Sequence, residues 1–417
     1  MIQEVKARAL SNKTSLKRSL SLTQMVLYGL GTTIGAGIYA LVGELAGIAG
    51  YFSPISFLIA SLMATLTAMS FAELSGRFPQ AAGAALYVRE GFSSQRLSTL
   101  TGLLVILAGL VSAAALINGF VGYLHQFVDI DRLPAILLIT LILGGIAAWG
   151  ISTSVTLAAL ITIIEIGGLL LIIGVSFSGT TIYVDNISTT LLPSADITHW
   201  KSIFAGALLA FYAFIGFEDM VDVAEEVKNV KRNLPLAILL TLGITTVLYM
   251  LIMITAVLAV SPEQLASTEA PLAFLYQHFT GNDATLISII GLLAIINGAL
   301  IQLIMGARVM YGLGSRGQLP AFFSFVHPKS QTPLIATIVA TVIILTLALI
   351  GHLSILAEIT SLIMLCIFSM INLALLRIKK HKPYTDDSIN FPSWIPLSGF
   401  IVSLSFLILT LVNITLF

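Results

Sequence analysis

The 417-residue chain is 57% hydrophobic and only 10% charged, and its 20 lysines and arginines balance its 20 aspartates and glutamates. A soluble domain carries about 25% charge, so this composition excludes one and points to a polytopic membrane protein. Zero net charge without a basic block excludes nucleic acid as a partner, and the lone cysteine, Cys366, can form no internal disulfide and reads as a small core residue.

A polar, basic stretch, Met1 to Ser21, precedes an apolar run from about Leu22 to Gly50 that is too long for a cleavable signal peptide. Windows of about 20 apolar residues predict eleven spans, at 22–49, 52–74, 98–127, 133–149, 153–178, 202–224, 234–260, 284–312, 333–351, 353–377 and 394–416. Only Gly351 and His352 separate spans nine and ten. The segment 81–97 is amphipathic and is expected to lie along the inner face before span three.

Charge asymmetry tests this count. With the N-terminus inside, eighteen of the twenty basic residues fall on the cytoplasmic side, from Lys6, Arg8, Lys13, Lys17 and Arg18 to Lys382. Arg132 and Lys201 alone fall outside, as the positive-inside rule requires. An odd number of spans then places Phe417 outside, and the expected location is the cell membrane.

Span one carries GLGTTIGAGIY, residues 29–39, at its middle. Glycine loosens a helix, and a helix unwound in lipid leaves amides that only a cavity or a polar ligand can satisfy. Span six carries FYAFIGFEDMVDVAEE, residues 211–226, where Gly216 is followed by Glu218, Asp219 and Asp222. A carboxylate at mid-bilayer costs about 3 kcal/mol on insertion scales, so these acids need compensation. A new half-helix starting near Phe217 supplies it through its N-terminal dipole.

Breaks five spans apart are what a five-plus-five inverted repeat produces, because an odd repeat length reverses orientation and brings the two breaks together at the midplane. The second half of span one, from Gly35, Ala36 and Gly37, would present free amides to a carboxylate. Carbonyls near Thr32, Thr33, Phe214 and Ile215 would attract an ammonium group. That pairing suits a zwitterionic α-amino acid.

At these residues the sequence resembles the amino acid–polyamine–organocation transporters, and their prokaryotic amino acid permeases in particular. The resemblance rests on GTTIGAGIYALVGELAG (31–47), FPQAAGAALYVREGF (78–92), FIGFEDMVDVAEEVKNVKRNLPLAI (214–238) and INGALIQLIMGARVMYGLGSRGQLPAFFSFVHPKSQTP (296–333), in order through spans one to nine. It implies an all-α LeuT-like fold with repeats 22–178 and 202–377, an accessory helix at 394–416, and transport by alternating access. Carried over by position, the substrate carboxylate meets Thr33, Ile34, Gly35, Ala36 and Gly37. The ammonium meets carbonyls at Thr33, Phe214 and Ile215, beside Gly216. Phe214 and Phe217 become gate or pocket aromatics, and Gln302 faces the pocket.

Two positions depart from the family pattern. Val230 follows Asn229 where the family places proline. In TIIEIGGLLLII (162–173), Glu165 stands where many proton-coupled relatives place a lysine. A lysine ammonium can replace a bound cation; a glutamate can do so only if protonated, salt-bridged or itself a cation ligand. Glu165 is therefore the expected coupling residue, with Asn297 of span eight opposite it. A protonated glutamate hydrogen-bonded to a neighbouring helix is the alternative.

The expected function is a secondary active amino acid transporter, by proton-coupled symport or exchange. A polyamine or cationic amino acid exchanger is the alternative, with Glu218, Asp219 and Asp222 attracting the extra charge. A channel is disfavoured because paired breaks make a closed pocket. No HExxH or GxxxxGK[ST] motif supports an enzyme or an ATP-driven pump. No cofactor, metal or catalytic residue is expected; the partners are an amino acid, a proton or other cation, and the bilayer.

Overall fold

The computed structural model describes residues 18–80, 83–149, 155–178, 193, 196–381 and 389–415. The basic residues Lys6, Arg8, Lys13, Lys17 and Lys382, and the terminal Phe417, lie outside the described residues, as do Ala81 and Ala82 in the amphipathic segment.

The order is α1 (Leu22–Ala49), α2 (Ser53–Arg77), α3 (Gly83–Phe92), α4 (Gln95–Leu124), α5 (Arg132–Trp149), α6 (Val155–Ser178) and α7 (Ile197–Tyr212). A 3-10 segment (Phe217–Glu226) leads to α8 (Val230–Ala259), then α9 (Pro262–Ala266), α10 (Pro271–Thr280), α11 (Thr285–Ser315), α12 (Leu334–Ile350), α13 (Leu353–His381) and α14 (Trp394–Thr415). Among the described residues, nine helical stretches are long and apolar enough to cross a membrane. The first of them, Leu22–Arg77, holds both α1 and α2, and the shorter apolar α12 completes the eleven that hydropathy predicts. Gly351 and His352 do separate α12 from α13.

Local chemistry sets the helix ends. Ser21 and Gln24 form a capping box at the start of α1, and prolines stand in the first turns of α2, α9 and α10. Helices α9 and α10 fill a stretch that hydropathy leaves as loop. They pack on the end of α1, so closely that a side chain at Gly43 would sit 2.6 Å from the Leu265 carbonyl. The amphipathic segment becomes α3, whose Tyr87 is fully buried and whose Gly91 meets Ala374 of α13.

Contacts between helix ends sort the chain onto two faces. On the N-terminal face, Leu20 bridges to Val227, with Lys228 N donating to Leu20 O at 2.9 Å. On the opposite face, Arg132 donates to Asn118 and to the Gly351 carbonyl, closing the end of α12. There also, His125 at the end of α4 lies 2.7 Å from Glu269, before α10. The Glu269 carboxylate holds the His125 imidazole above its ordinary value. A histidine raised on folding stabilises fully below about pH 6.5 and loses that contribution as pH climbs through its folded value. Glu269→Gln should therefore lower the melting temperature at about pH 6 and leave it unchanged at about pH 9. Equal losses at both would show packing alone.

Candidate functional site

Both predicted breaks are present, in different forms. In α1 the break is one residue: Gly35 has φ 2 and ψ −123, and helix resumes on each side. Glycines on each side of the break let α1 pack closely on its neighbours. A side chain at Gly31 would sit 2.2 Å from Thr162 Oγ1 of α6, and one at Gly37 would sit 2.8 Å from Ala213 Cα. In span six the break runs through the turn Ala213–Gly216, with Gly216 at φ 123. The expected second α-helix is instead the 3-10 segment Phe217–Glu226. Its first turn carries Glu218, half-buried, which accepts from Gly216 N at 2.9 Å.

The breaks touch. Thr32 Oγ1 donates toward the Gly216 carbonyl at 3.0 Å, and a Cβ on Gly216 would stand 2.2 Å from the Thr32 carbonyl oxygen. Behind them the hydroxyl of Tyr249 on α8, fully buried, shares its single proton between Thr33 O at 2.9 Å and Ala213 O at 3.1 Å. One phenol thus serves carbonyls freed at both breaks.

Beside this junction a cleft of about 420 Å³, counted to its open side, is lined by Thr32, Thr33, Gly35 and Gly37 of α1, with Tyr212, Ile215 and Gln302 among its other walls. Tyr212 reaches across to α4, its hydroxyl 3.0 Å from Ser112 Oγ. A second cavity, about 550 Å³ counted to its open side, shares Ser112, Ile215 and Gln302 with the first and continues toward the N-terminal face. Glu218 and Asp219 line it, and Gln302 Nε2 donates to Asp219 at 3.3 Å. Gly109 on α4 leaves room opposite Gln302, whose Oε1 would lie 3.0 Å from an added Cβ.

The predicted residues therefore separate. Thr33, Gly35, Gly37, Ile215 and Gln302 line the cleft, Ala36 lies in the same turn of α1, and Gly216 forms the junction. Ile34 is fully buried outside the cleft lining. Neither aromatic expected in the pocket lines either cavity: Phe214 stacks on Phe57 and Tyr249, and Phe217 on Phe71 and Phe368. The aromatic on the cleft is Tyr212. Tyr212 and Tyr249 escape a sequence reading because their partners stand 100 and 216 residues away.

Glu165 lies on α6 against α1, where its own carbonyl accepts from Tyr39 at 2.7 Å. Its two carboxyl oxygens are buried without a hydrogen-bond partner, as are Asn297 Nδ2 and Thr33 Oγ1. Asn297 is within reach of Glu165, as expected, without closing a bond in the present geometry. Among the described residues no cluster of histidine, cysteine, aspartate and glutamate could hold a metal ion.

Residues 20–416 match the family described as Amino acid permease. The chain belongs to this family. It is 29% identical over 427 residues to the branched-chain amino acid permease BcaP of Bacillus subtilis (strain 168), covering 98% of this chain and 91% of that one. Over 409 residues it is 27% identical to the methylthioribose transporter of the same organism, 92% of this chain and 86% of the other. Cationic amino acid transporter 4, vacuolar, of Arabidopsis thaliana is 29% identical over 391 residues, 88% of this chain. The match spans 64% of that plant protein, so the chain falls short of two thirds of its length.

Within this family frame Tyr249→Phe is a sharp test. It keeps the ring contacts to Phe57 and Phe214 but leaves two buried carbonyls without their donor. The expected cost is about 1–3 kcal/mol, read as a lower melting temperature together with a raised KM for uptake. A lower melting temperature with unchanged KM would confine Tyr249 to the fold.

Proposed function

We propose that this chain is a secondary active transporter that moves amino acids across the cell membrane by alternating access. The observation that carries it is the cleft at the meeting of two broken helices, inside an apolar helical bundle of the amino acid permease family. The bundle reads as a LeuT-like five-plus-five inverted repeat, 22–178 and 202–377, with α14 as an accessory helix. The N-terminal face reads as cytoplasmic from the distribution of basic residues, which puts the C-terminus outside.

In this reading the substrate carboxylate is held by Thr33 and by amides of Ile34, Gly35, Ala36 and Gly37 at the restart of α1. The ammonium meets carbonyls of Phe214 and Ile215 at the Gly216 turn, while Thr33 O is shared with Tyr249. Gln302 and Tyr212 close the cleft, and Phe217 supports the turn from behind. Glu165 and Asn297 are the coupling pair: a carboxyl with two unpartnered oxygens beside α1 must hold a proton or a cation. Reconstituted protein should show saturable uptake with trans-stimulation; leucine, alanine and arginine tested in counterflow will identify the class. No counterflow with any amino acid removes the reading.

A second reading, exchange of cationic amino acids, is favoured by Glu218 and Asp219 lining the inner cavity. Arginine outcompeting leucine, and losing that advantage in Glu218→Gln, would select it.

A further inference from the structure

Two tyrosines treat residues around the break in α1 in the same way. The carbonyl of Thr33 on α1 accepts from the Tyr249 hydroxyl at 2.9 Å, while Thr33 Oγ1 stays unpartnered. The carbonyl of Glu165 on α6 accepts from the Tyr39 hydroxyl at 2.7 Å, while both carboxyl oxygens stay unpartnered. In each pair the backbone is pinned and the side chain is not. All four residues are buried.

Helix α6 meets α1 on both sides of the break through one face. Thr162, Glu165 and Gly168 are spaced three apart, and positions so spaced share a side of a helix. Thr162 fills the space left by Gly31, before the break. Gly168 makes room for the Tyr39 hydroxyl beyond the break, since a Cβ there would lie 2.7 Å from it. Glu165 sits between these two contacts and so stands level with Gly35, with Asn297 of α11 in its reach. The carbonyl of Tyr39 in turn accepts from Tyr123 of α4 at 2.8 Å. Residue 39 therefore takes one tie from α4 through its backbone and makes another to α6 through its side chain, and the two can be cut separately. A phenol-to-carbonyl bond in a dry site is firmly held, because neither group has water to turn to.

We propose that Tyr39 is a positioning residue for ion coupling: its hydroxyl holds α6 in register with the break, so that the Glu165 carboxyl answers to the movement of α1 that rearranges the cleft. Tyr249 holds the cleft side of the break and Tyr39 the coupling side. This inference rests on the reading of Glu165 as the coupling residue.

Tyr39→Phe keeps the ring beside Gly168 and removes only the donor. In proteoliposomes, with L-leucine and L-arginine as probes, exchange is expected to keep its rate and KM, while accumulation driven by a pH or sodium gradient falls severalfold. Tyr123→Phe is the comparison. It deletes an equally buried phenol bond at residue 39 without touching the Glu165 carbonyl, and should lower the melting temperature as much while accumulation holds. Equal losses of accumulation in the two variants would reduce Tyr39 to packing and overturn the inference. Should Tyr39→Phe fail to fold, Gly168→Ala reaches the same bond from α6, because its Cβ crowds the hydroxyl off the carbonyl, and the same loss is expected. Full gradient-driven accumulation in the variant that folds overturns the inference. A wild type that exchanges substrate but ignores both gradients strikes the coupling role of Glu165, and that of Tyr39 with it. A wild type that responds confines any failure to Tyr39 alone.

Discussion

Alanine at Gly216 is expected to abolish amino acid uptake. The residue sits at φ 123, a region that side chains rarely adopt, and such strain alone costs about 1–3 kcal/mol. Its Cβ would stand 2.2 Å from the Thr32 carbonyl oxygen and 2.7 Å from the Thr32 carbon, both backbone atoms that cannot swing aside. The turn must therefore back away from α1, which breaks the Thr32 hydroxyl contact to the Gly216 carbonyl and moves the carbonyls proposed above to meet an ammonium group. An ammonium site displaced by an ångström loses most of its value, so affinity falls together with rate. Measured in proteoliposomes, uptake should drop by well over about tenfold, the equivalent of about 1.4 kcal/mol. Gly91→Ala on α3, outside both cavities, is the control for plain crowding. It meets Ala374 Cα at 2.7 Å without a positive φ, and should be impaired less. Equal uptake in wild type and Gly216→Ala would mean the two breaks do not form one site.

The number of spans and the place of both breaks were legible in the sequence because lipid imposes long apolar runs and penalises glycine and acid within them. Gly35, Gly216 and the trio Glu218, Asp219 and Asp222 stand out on that ground alone. What stayed hidden depends on contacts between distant segments. Tyr249 is one aromatic residue in an apolar helix until α8 is laid against α1 and the Ala213 turn. Glu73 is an acid near a helix end until Lys379 and Phe391, more than three hundred residues on, enclose it. Local conformation misled in one place: the chain beyond Gly216 winds as a 3-10 helix, not an α-helix, and Phe217 at its start packs on Phe71 in the core. No composition signal distinguishes that winding from an α-helix.

Glu165→Gln is expected to remove the pH dependence of uptake. Both carboxyl oxygens are buried without hydrogen-bond partners, and Asn297 Nδ2 and Thr33 Oγ1 are left unsatisfied on the facing helices. A bare carboxylate in such a place is penalised by several kcal/mol, so the resting state holds a proton or a cation there. Tyr39 fixes the backbone of Glu165 by donating to its carbonyl, which leaves the side chain free to change partners as α1 moves. Glutamine keeps the size and can take neither a proton nor a full charge. If a proton is the coupled ion, the variant should transport at a rate that no longer responds to an imposed pH gradient while exchange of one substrate for another persists. If sodium is the ion, the wild type responds to a sodium gradient at constant pH and the variant does not. Asn297→Asp provides the opposite perturbation: a second acid beside Glu165 should move the pH profile of uptake rather than flatten it. A Glu165→Gln protein with the wild-type response to both gradients would reduce this residue to a structural carboxylic acid.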